Sequence, residues 1–552
     1  MIGRRRLEAD SKAWRTRSRA SVSRRFHIIG FSALALSIIL CLIAVPYRDN
    51  YINATTPHTQ LGSIRHDDGG NGSTRSHPSF KDVKLHIVIP ASHQDVNLCK
   101  LVLGCSLLDY PNPTIVAWRD TYKQAWILGG GSHLAKVFRV LEYLQALDPS
   151  QDDELVLMLD AYDVHLQLPR STLISRYYEL RDAAQKRLVE SVGKTAVQDG
   201  GLSQRIIFGA GKRCAPNEPH TVACYAVPDS PMPQIYGPNT DTAIGHNHHY
   251  SVRQRYLNSG YVLGPAKAMR EMYEEAWKFI QAQPDMDPDD DGSHTSDYVY
   301  HGSDQSVFAA MYGRQEFARE KIRLQYAPVG TRPRSSTVFF TPIDNVLNPS
   351  FHHEEFDVDL DSGDNPYEHG IFLDFASDLG HQTINSELDA AWIQYRDRDD
   401  EKAMSAQIGQ RLADFDCPAN LPEALPHDIA DARIPTDGDI AAWPSPWLSR
   451  PLYTHLCMSR MPVLRHMNGD KSHREKHWDR MWYVPRAREL FKALQESMAR
   501  NATLKPKTEL KHHMANPALE VAGAVWTKPD GLLRWEDLCP AEEYDKEIFR
   551  KG

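Results

Sequence analysis

The stretch ELVLMLDAYDVHLQL, residues 154–168, constrains the fold more than any other part of this chain. Its core, Leu155 to Leu159, has no polar face, so as a strand it needs apolar cover on both sides. Around it, buried-type strands alternate with helical patterns. HIVI at residues 86–89 ends at Pro90, and DVNLCKLVLGCSLLDY follows as an amphipathic helix. A short strand covers residues 114–118, a helix residues 133–147, and further strands RIIFGAG and RYLNSGYVLGP. The helix AKAMREMYEEAWKFI and the run SDQSVFAAMYG come next. This spacing predicts an α/β fold, a mixed and mostly parallel sheet flanked by helices. Ligands of such sheets sit beyond the C-terminal ends of the strands, and the central apolar run ends there in Asp160 and Asp163.

The N-terminus has a different character. Nine Arg and Lys residues in the first 25 face only Glu8 and Asp10, and FHIIGFSALALSIILCLIAVPY follows at residues 26–47. A bilayer core needs roughly 20 apolar residues in a helix. The long basic region and the exit Val45-Pro46-Tyr47 favour an uncleaved signal-anchor over a cleaved signal peptide. The positive side stays cytoplasmic, which predicts a single-pass type II protein with its body in the lumen of the Golgi or endoplasmic reticulum. Residues 48–82, rich in Gly, Ser, Thr and Asn, read as a stem. The domain itself is expected at 83–485, with a surface excursion at 400–450 and a C-terminal extension at 486–552.

Sequons at Asn53, Asn71 and Asn501 agree with a lumenal body. With Cys41 in the apolar stretch, seven of the eight cysteines remain, so at least one is free or pairs between chains. Cys214 and Cys224 flank a short Pro-containing loop and are expected to pair. A net charge of −9, with no basic stripe interleaved with aromatics, excludes a nucleic-acid partner as the default.

On an ideal strand, residues three apart point to opposite faces, so Asp160 and Asp163 converge only if the chain turns at Asp160. Two charges at the rim of a dry core are costly without a partner, and a divalent cation is one such partner. A solvated turn is the plainer reading of the same residues. Other metal-like runs fall away. His246-Asn-His-His reads as a surface loop. The acidic run from Asp285 places Asp290 where a calcium loop needs Gly, and Ser296 where it needs Glu. Gly129 to Gly131 lack the Gly-Lys-Ser/Thr of a P-loop, and no G-x-S-x-G elbow marks a serine hydrolase.

Taken in order, LVLGCSL, GGGSHLAK, the D-x-x-D pair, LNSGYVLG, SDQSVF and HMNGDK resemble the GT-A class of nucleotide-sugar glycosyltransferases. The likeness is greatest to the transferase domain of procollagen lysyl hydroxylases and weaker to glycogenin, and it spans roughly residues 84–485. It implies a GT-A-like fold and transfer of a hexose from a UDP-sugar to a glycan or glycoprotein hydroxyl, with Mn²⁺ or Mg²⁺ as cofactor. By the same likeness, Asp160, Asp163 and His466 would ligate the metal. Gly469 and Lys471 would approach the diphosphate, and Lys136, at the head of the helix before the aspartates, would help bind the UDP-sugar. Pro90, Ala91 and Ser92 would seat the uridine, and Asn258, Ser259, Asp304 and Gln305 would face the sugar and acceptor. The sequence departs from the pattern in the 400–450 excursion and in His301-Gly-Ser before Asp304. Two alternatives stay open: a glycoside hydrolase using Asp160 and Asp163 as its carboxylate pair, and a glycan-binding relative without catalysis.

Overall fold

The computed structural model describes residues 83–121, 130–217, 221–238, 250–282, 303–326, 365–408, 417, 421–436, 447–503 and 521–550. The expected tail, membrane span and stem lie outside these residues, as do Asn53, Asn71, residues 246–249, 285–296 and residue 301. Among the described residues no helix is long and apolar enough to cross a membrane.

Strands β1 (Leu85–Pro90), β2 (Thr114–Val116), β3 (Leu155–Leu159), β5 (Ile206–Gly211), β6 (Tyr256–Pro265), β7 (Ile371–Asp374), β12 (Val525–Thr527) and β13 (Gly531–Leu533) form one sheet. Its order is β13-β12-β2-β1-β3-β6-β5-β7. The run β12-β2-β1-β3 is parallel, as is the pair β5-β7, while β6 lies antiparallel between β3 and β5. The connection from β5 to β6 explains that reversal. It carries the Cys214–Cys224 loop and, among its described residues, no helix long enough to return the chain to the starting edge.

Alternation along β1 and β3 divides their side chains between two core layers. Leu85, Ile87, Ile89, Leu155, Leu157 and Leu159 pack with Leu98, Leu101 and Val102 of α1 (Val96–Leu107). Val88, Val156 and Met158 pack on the opposite face with Val140 and Leu144 of α2 (Gly130–Gln145). They are joined there by Met269 and Tyr273 of α4 (Ala266–Gln281) and Phe308 of α5 (Asp304–Gln325). Helix α3 (Arg170–Val192) covers the first layer through Leu173, Ile174 and Tyr177. Each large side chain so buried contributes about 1.5–3 kcal/mol, which is why an uninterrupted apolar run suits a strand covered on both faces.

A second, three-stranded sheet stands beside the first. Its strands are β4 (Val164–Leu166), β11 (Leu464–His466) and β8 (Gly380–Gln382), in the order β4-β11-β8. Next to it β9 (Ala390–Gln394) pairs antiparallel with β10 (Pro451–His455).

Two expectations about chain organisation need correction. The 400–450 region is not simply a surface excursion, because Ile429 is 0 % exposed and Trp447 1 %. Arg176 of α3 also pairs with Asp428 at 2.5 Å. Its described parts are held to the core by apolar anchors, Met404 and Ile429 on short helices at Glu401–Ile408 and His427–Ala430 and Trp447 beyond them. The segment after 485 is likewise no appendage. It supplies β12 and β13 to the main sheet, and a Cys99–Cys539 disulfide ties it to α1. Cys417 pairs with Cys457, Cys214 with Cys224 as expected, and Cys105 is the free, buried thiol among the described residues. Asn501 lies in α6 (Ala487–Thr503).

Candidate metal centre at the end of the central strands

Asp160 follows the last residue of β3, and its backbone N–H still donates to Gly260 O of β6 at 2.9 Å. The chain then bends through Ala161 and Tyr162 and re-enters a sheet as β4. Val164 is in register with His466, and Asp163 O accepts from Met467 N–H at 2.7 Å. Two ladders thus set the geometry: the main sheet carries Asp160, and the small sheet carries Asp163 and His466. Nε2 of His466 stands 3.4 Å from Asp160 Oδ2 and 3.5 Å from Asp163 Oδ1. These three residues form a group whose donor atoms all lie within 4.8 Å of one another.

The other oxygen of each carboxylate is already engaged. Lys136 of α2 places Nζ 2.5 Å from Asp160 Oδ1 and 2.9 Å from Asp304 Oδ2. Lys471 Nζ is 2.7 Å from Asp163 Oδ2, with Arg474 Nη2 at 3.6 Å from the same oxygen. Ammonium groups therefore clamp the outer oxygens while the inner ones face the imidazole. Two carboxylates and an imidazole, with one donor atom of each converging, could hold a single divalent cation.

Burial alone would raise the Asp163 carboxyl, but His466 and then Lys471 outweigh it and hold the group well below the usual carboxylate range. Burial opposes a charged His466, yet Asp163 and Asp160 push its imidazole up to about 9. Asp304 is likewise held ionised against burial, chiefly by Lys136 and then by His133.

Glycine has a steric reason at Gly260. A Cβ there would sit 2.1 Å from the His466 ring. Below the ring, Asn258 Oδ1 lies 3.0 Å and Gln382 Oε1 2.6 Å from His466 Nδ1. Asn258 Nδ2 donates to Gln305 Oε1 at 2.8 Å, and Gln305 Nε2 donates to Ala215 O. The amides of Asn258 and Gln305, expected to face sugar and acceptor, are thus spent on supporting His466 and the Cys214–Cys224 loop. Asp304 opens α5 and is 3 % exposed. It accepts from Ser259 Oγ at 2.9 Å and faces His133 Nδ1 at 3.5 Å.

Gly469 approaches chain rather than open space: a Cβ on it would meet Glu387 Oε1 at 2.9 Å and Ile384 Cα at 3.1 Å. Pro90 ends β1, and Ala91 is buried just beyond it. Ser92 Oγ lies 3.2 Å from His93 Nδ1, whose ring stacks on Tyr162, between the two aspartates, at 5.1 Å between centroids. The expected uridine seat and the carboxylates therefore share one rim.

Three contributors have no role assigned to them from the sequence. Gln382 lies in an unremarked LGHQT, and His133 sits in a glycine-led helix start. Arg474 follows Lys471 by three residues in SHREKH, where the basic run is the one signal available.

A second buried group, His381, Asp389 and His455, also has metal-ligand composition. There Lys212 Nζ already lies 2.7 Å from Asp389 Oδ2, with both side chains 0 % exposed, and Tyr236 Oη donates to the same oxygen at 3.0 Å. His455 Nδ1 accepts from Met458 N–H at 3.3 Å, and its Nε2 lies 3.1 Å from Gln254 Nε2 and 3.7 Å from Asp389 Oδ2. This is a buried ion pair with neutral histidines around it. No protein-family model matches this chain, and no curated protein matches it.

Proposed function

We propose that the protein is a hexosyltransferase that moves a sugar from a UDP-sugar to a hydroxyl of a glycan or glycoprotein in the secretory pathway. The observation that carries this reading is the inward convergence of Asp160 Oδ2, Asp163 Oδ1 and His466 Nε2, with lysines on the outer carboxylate oxygens. These residues would hold Mn²⁺ or Mg²⁺, which when bound supplies charge to neutralise a diphosphate leaving group. The chain supplies the rest. Lys471 and Arg474 put two positive charges on the outer side of Asp163, where they can meet phosphate oxygens as the bond to the sugar breaks. Lys136 links Asp160 to Asp304 and so fixes the start of α5 against the site. Tyr162 and His93 offer a stacked aromatic edge beside Ser92 for a planar base. A membrane anchor at residues 26–47 would place this body in the Golgi or endoplasmic reticulum lumen.

A glycosidase would set its two carboxylates apart across a sugar ring. Here both are drawn to one imidazole nitrogen, which favours a shared cation. The purified protein should release UDP from one UDP-hexose, lose that activity with a chelator, and regain it with Mn²⁺. Failure to bind or turn over any UDP-sugar with any divalent cation would end the proposal.

A further inference from the structure

We infer that Gln382 is a positioning residue of this centre: its side-chain oxygen holds the Nδ1–H of His466 and so keeps Nε2 turned toward Asp160 and Asp163. The inference rests on the reading of Asp160, Asp163 and His466 as a metal site. The starting point is a backbone donor. Gly260 N–H donates to Asn258 Oδ1 at 3.1 Å, which settles which end of the Asn258 amide faces His466. Nδ1 therefore meets an acceptor at Asn258 Oδ1, 3.0 Å away, and a second at Gln382 Oε1, 2.6 Å away. A nitrogen facing two acceptors keeps its proton, so a cation would enter at Nε2, displacing the proton that Asp160 and Asp163 otherwise favour there.

Sheet register makes Gln382 the closer of the two supports. β8 runs parallel to β11 with His466 opposite Gln382, so both side chains leave the same face of the ladder. Gln382 is 2 % exposed, and its amide lies over Gly209, where a Cβ would come within 2.3 Å of Nε2. The missing side chain at Gly209 is thus the space that the glutamine fills. Asn258 is tied to Gln305 as well, whereas the oxygen of Gln382 meets the His466 ring directly. Metal-bound histidines generally depend on such a partner for orientation, and its removal typically costs 10–100-fold in metal affinity or activity.

The test is Mn²⁺ binding by the purified full chain without any nucleotide or acceptor. It is read by titration, by pulsed electron paramagnetic resonance of the histidine nitrogen coupled to Mn²⁺, and by metal-free thermal melts. Gln382→Met, similar in size but without an acceptor, should raise the Mn²⁺ dissociation constant about 10–100-fold and weaken the nitrogen coupling. Gln382→Glu restores an acceptor and should stay much closer to wild type. Should Gln382→Met not fold, Gln382→Asn, whose shorter amide stops short of the ring, carries the same expectation. Wild-type affinity and coupling in the variant lacking the acceptor would overturn the inference, as would equal losses in Gln382→Met and Gln382→Glu. A wild-type protein that binds no divalent cation would instead remove the metal reading on which the inference stands.

Discussion

Two positive charges on Asp163 do different work from the imidazole it faces. His466→Ala removes a donor atom from the inner triad, so Mn²⁺ affinity and turnover should fall together. Asp163→Asn should behave alike, because the amide offers a weaker ligand. Lys471→Ala is expected to diverge. Its ammonium holds the outer oxygen of Asp163 at 2.7 Å and is half-exposed, so its removal frees that carboxylate and leaves metal affinity equal to or above wild type. Turnover should still drop by about 10²-fold or more, the scale on which one charge-stabilising donor usually acts. Mn²⁺ titration of UDP release by each variant separates the outcomes; parallel losses in Lys471→Ala and His466→Ala would contradict the division of roles.

Among the elements, β6 bears the tightest constraint. It lies antiparallel between β3 and β5 and carries Asn258, Ser259 and Gly260 through the strand ends beneath His466. Gly260→Ala would drive a methyl to within 2.1 Å of the ring, with Asp160 N–H bound to the residue-260 carbonyl on the same strand. The ring, the strand or both must shift. We expect Gly260→Ala to abolish Mn²⁺ binding and to lower the melting temperature in the absence of metal. Gly211→Ala on neighbouring β5 should spare both, since its nearest atom, Tyr256 O, would lie at an ordinary 3.8 Å. Equal behaviour of the two variants in thermal melts and Mn²⁺ titration would show that the close approach at Gly260 is tolerated.

For the whole molecule, buried neutral histidines set the response to acid. His455 is 0 % exposed, and burial, followed by the nearby Lys212 charge, pushes its pKa down to about 3. His165 and His381 are displaced downward too, each mainly by burial. Because the folded pKa lies below the ordinary 6.5, the unfolded chain takes up protons first as pH falls. This contribution to stability is complete above about pH 6.5 and is lost progressively toward pH 3, at up to about 1.4 kcal/mol per pH unit for each such histidine. Asp163 and Asp304 are held ionised, so their contributions persist above the ordinary carboxylate range and fade only below about pH 4. Melting temperature should therefore decline from pH 7 to pH 4.5, and His455→Gln should flatten the decline. An unchanged slope in that variant would remove His455 from the account.

How much of this was legible in the sequence depends on the range of the interaction. The double-faced apolar pattern of β1 and β3 is local, and it required cover on both sides; the pair Asp160 and Asp163 at a strand end was legible for the same reason. Motif order brought out Lys136, Lys471 and His466 as candidates, but nothing in their spacing states a distance. Tertiary structure decided the remainder. Register placed His466 opposite Val164 on one side and Gln382 on the other, a choice made by three short strands far apart in the chain. It also turned Asn258 inward, buried Lys212 on Asp389, and inserted residues 525–533 at the edge of the main sheet. Short strands carry too few side chains to announce their partners. Their ladder hydrogen bonds come from backbone groups that every residue shares, so only the packed whole selects which strands meet.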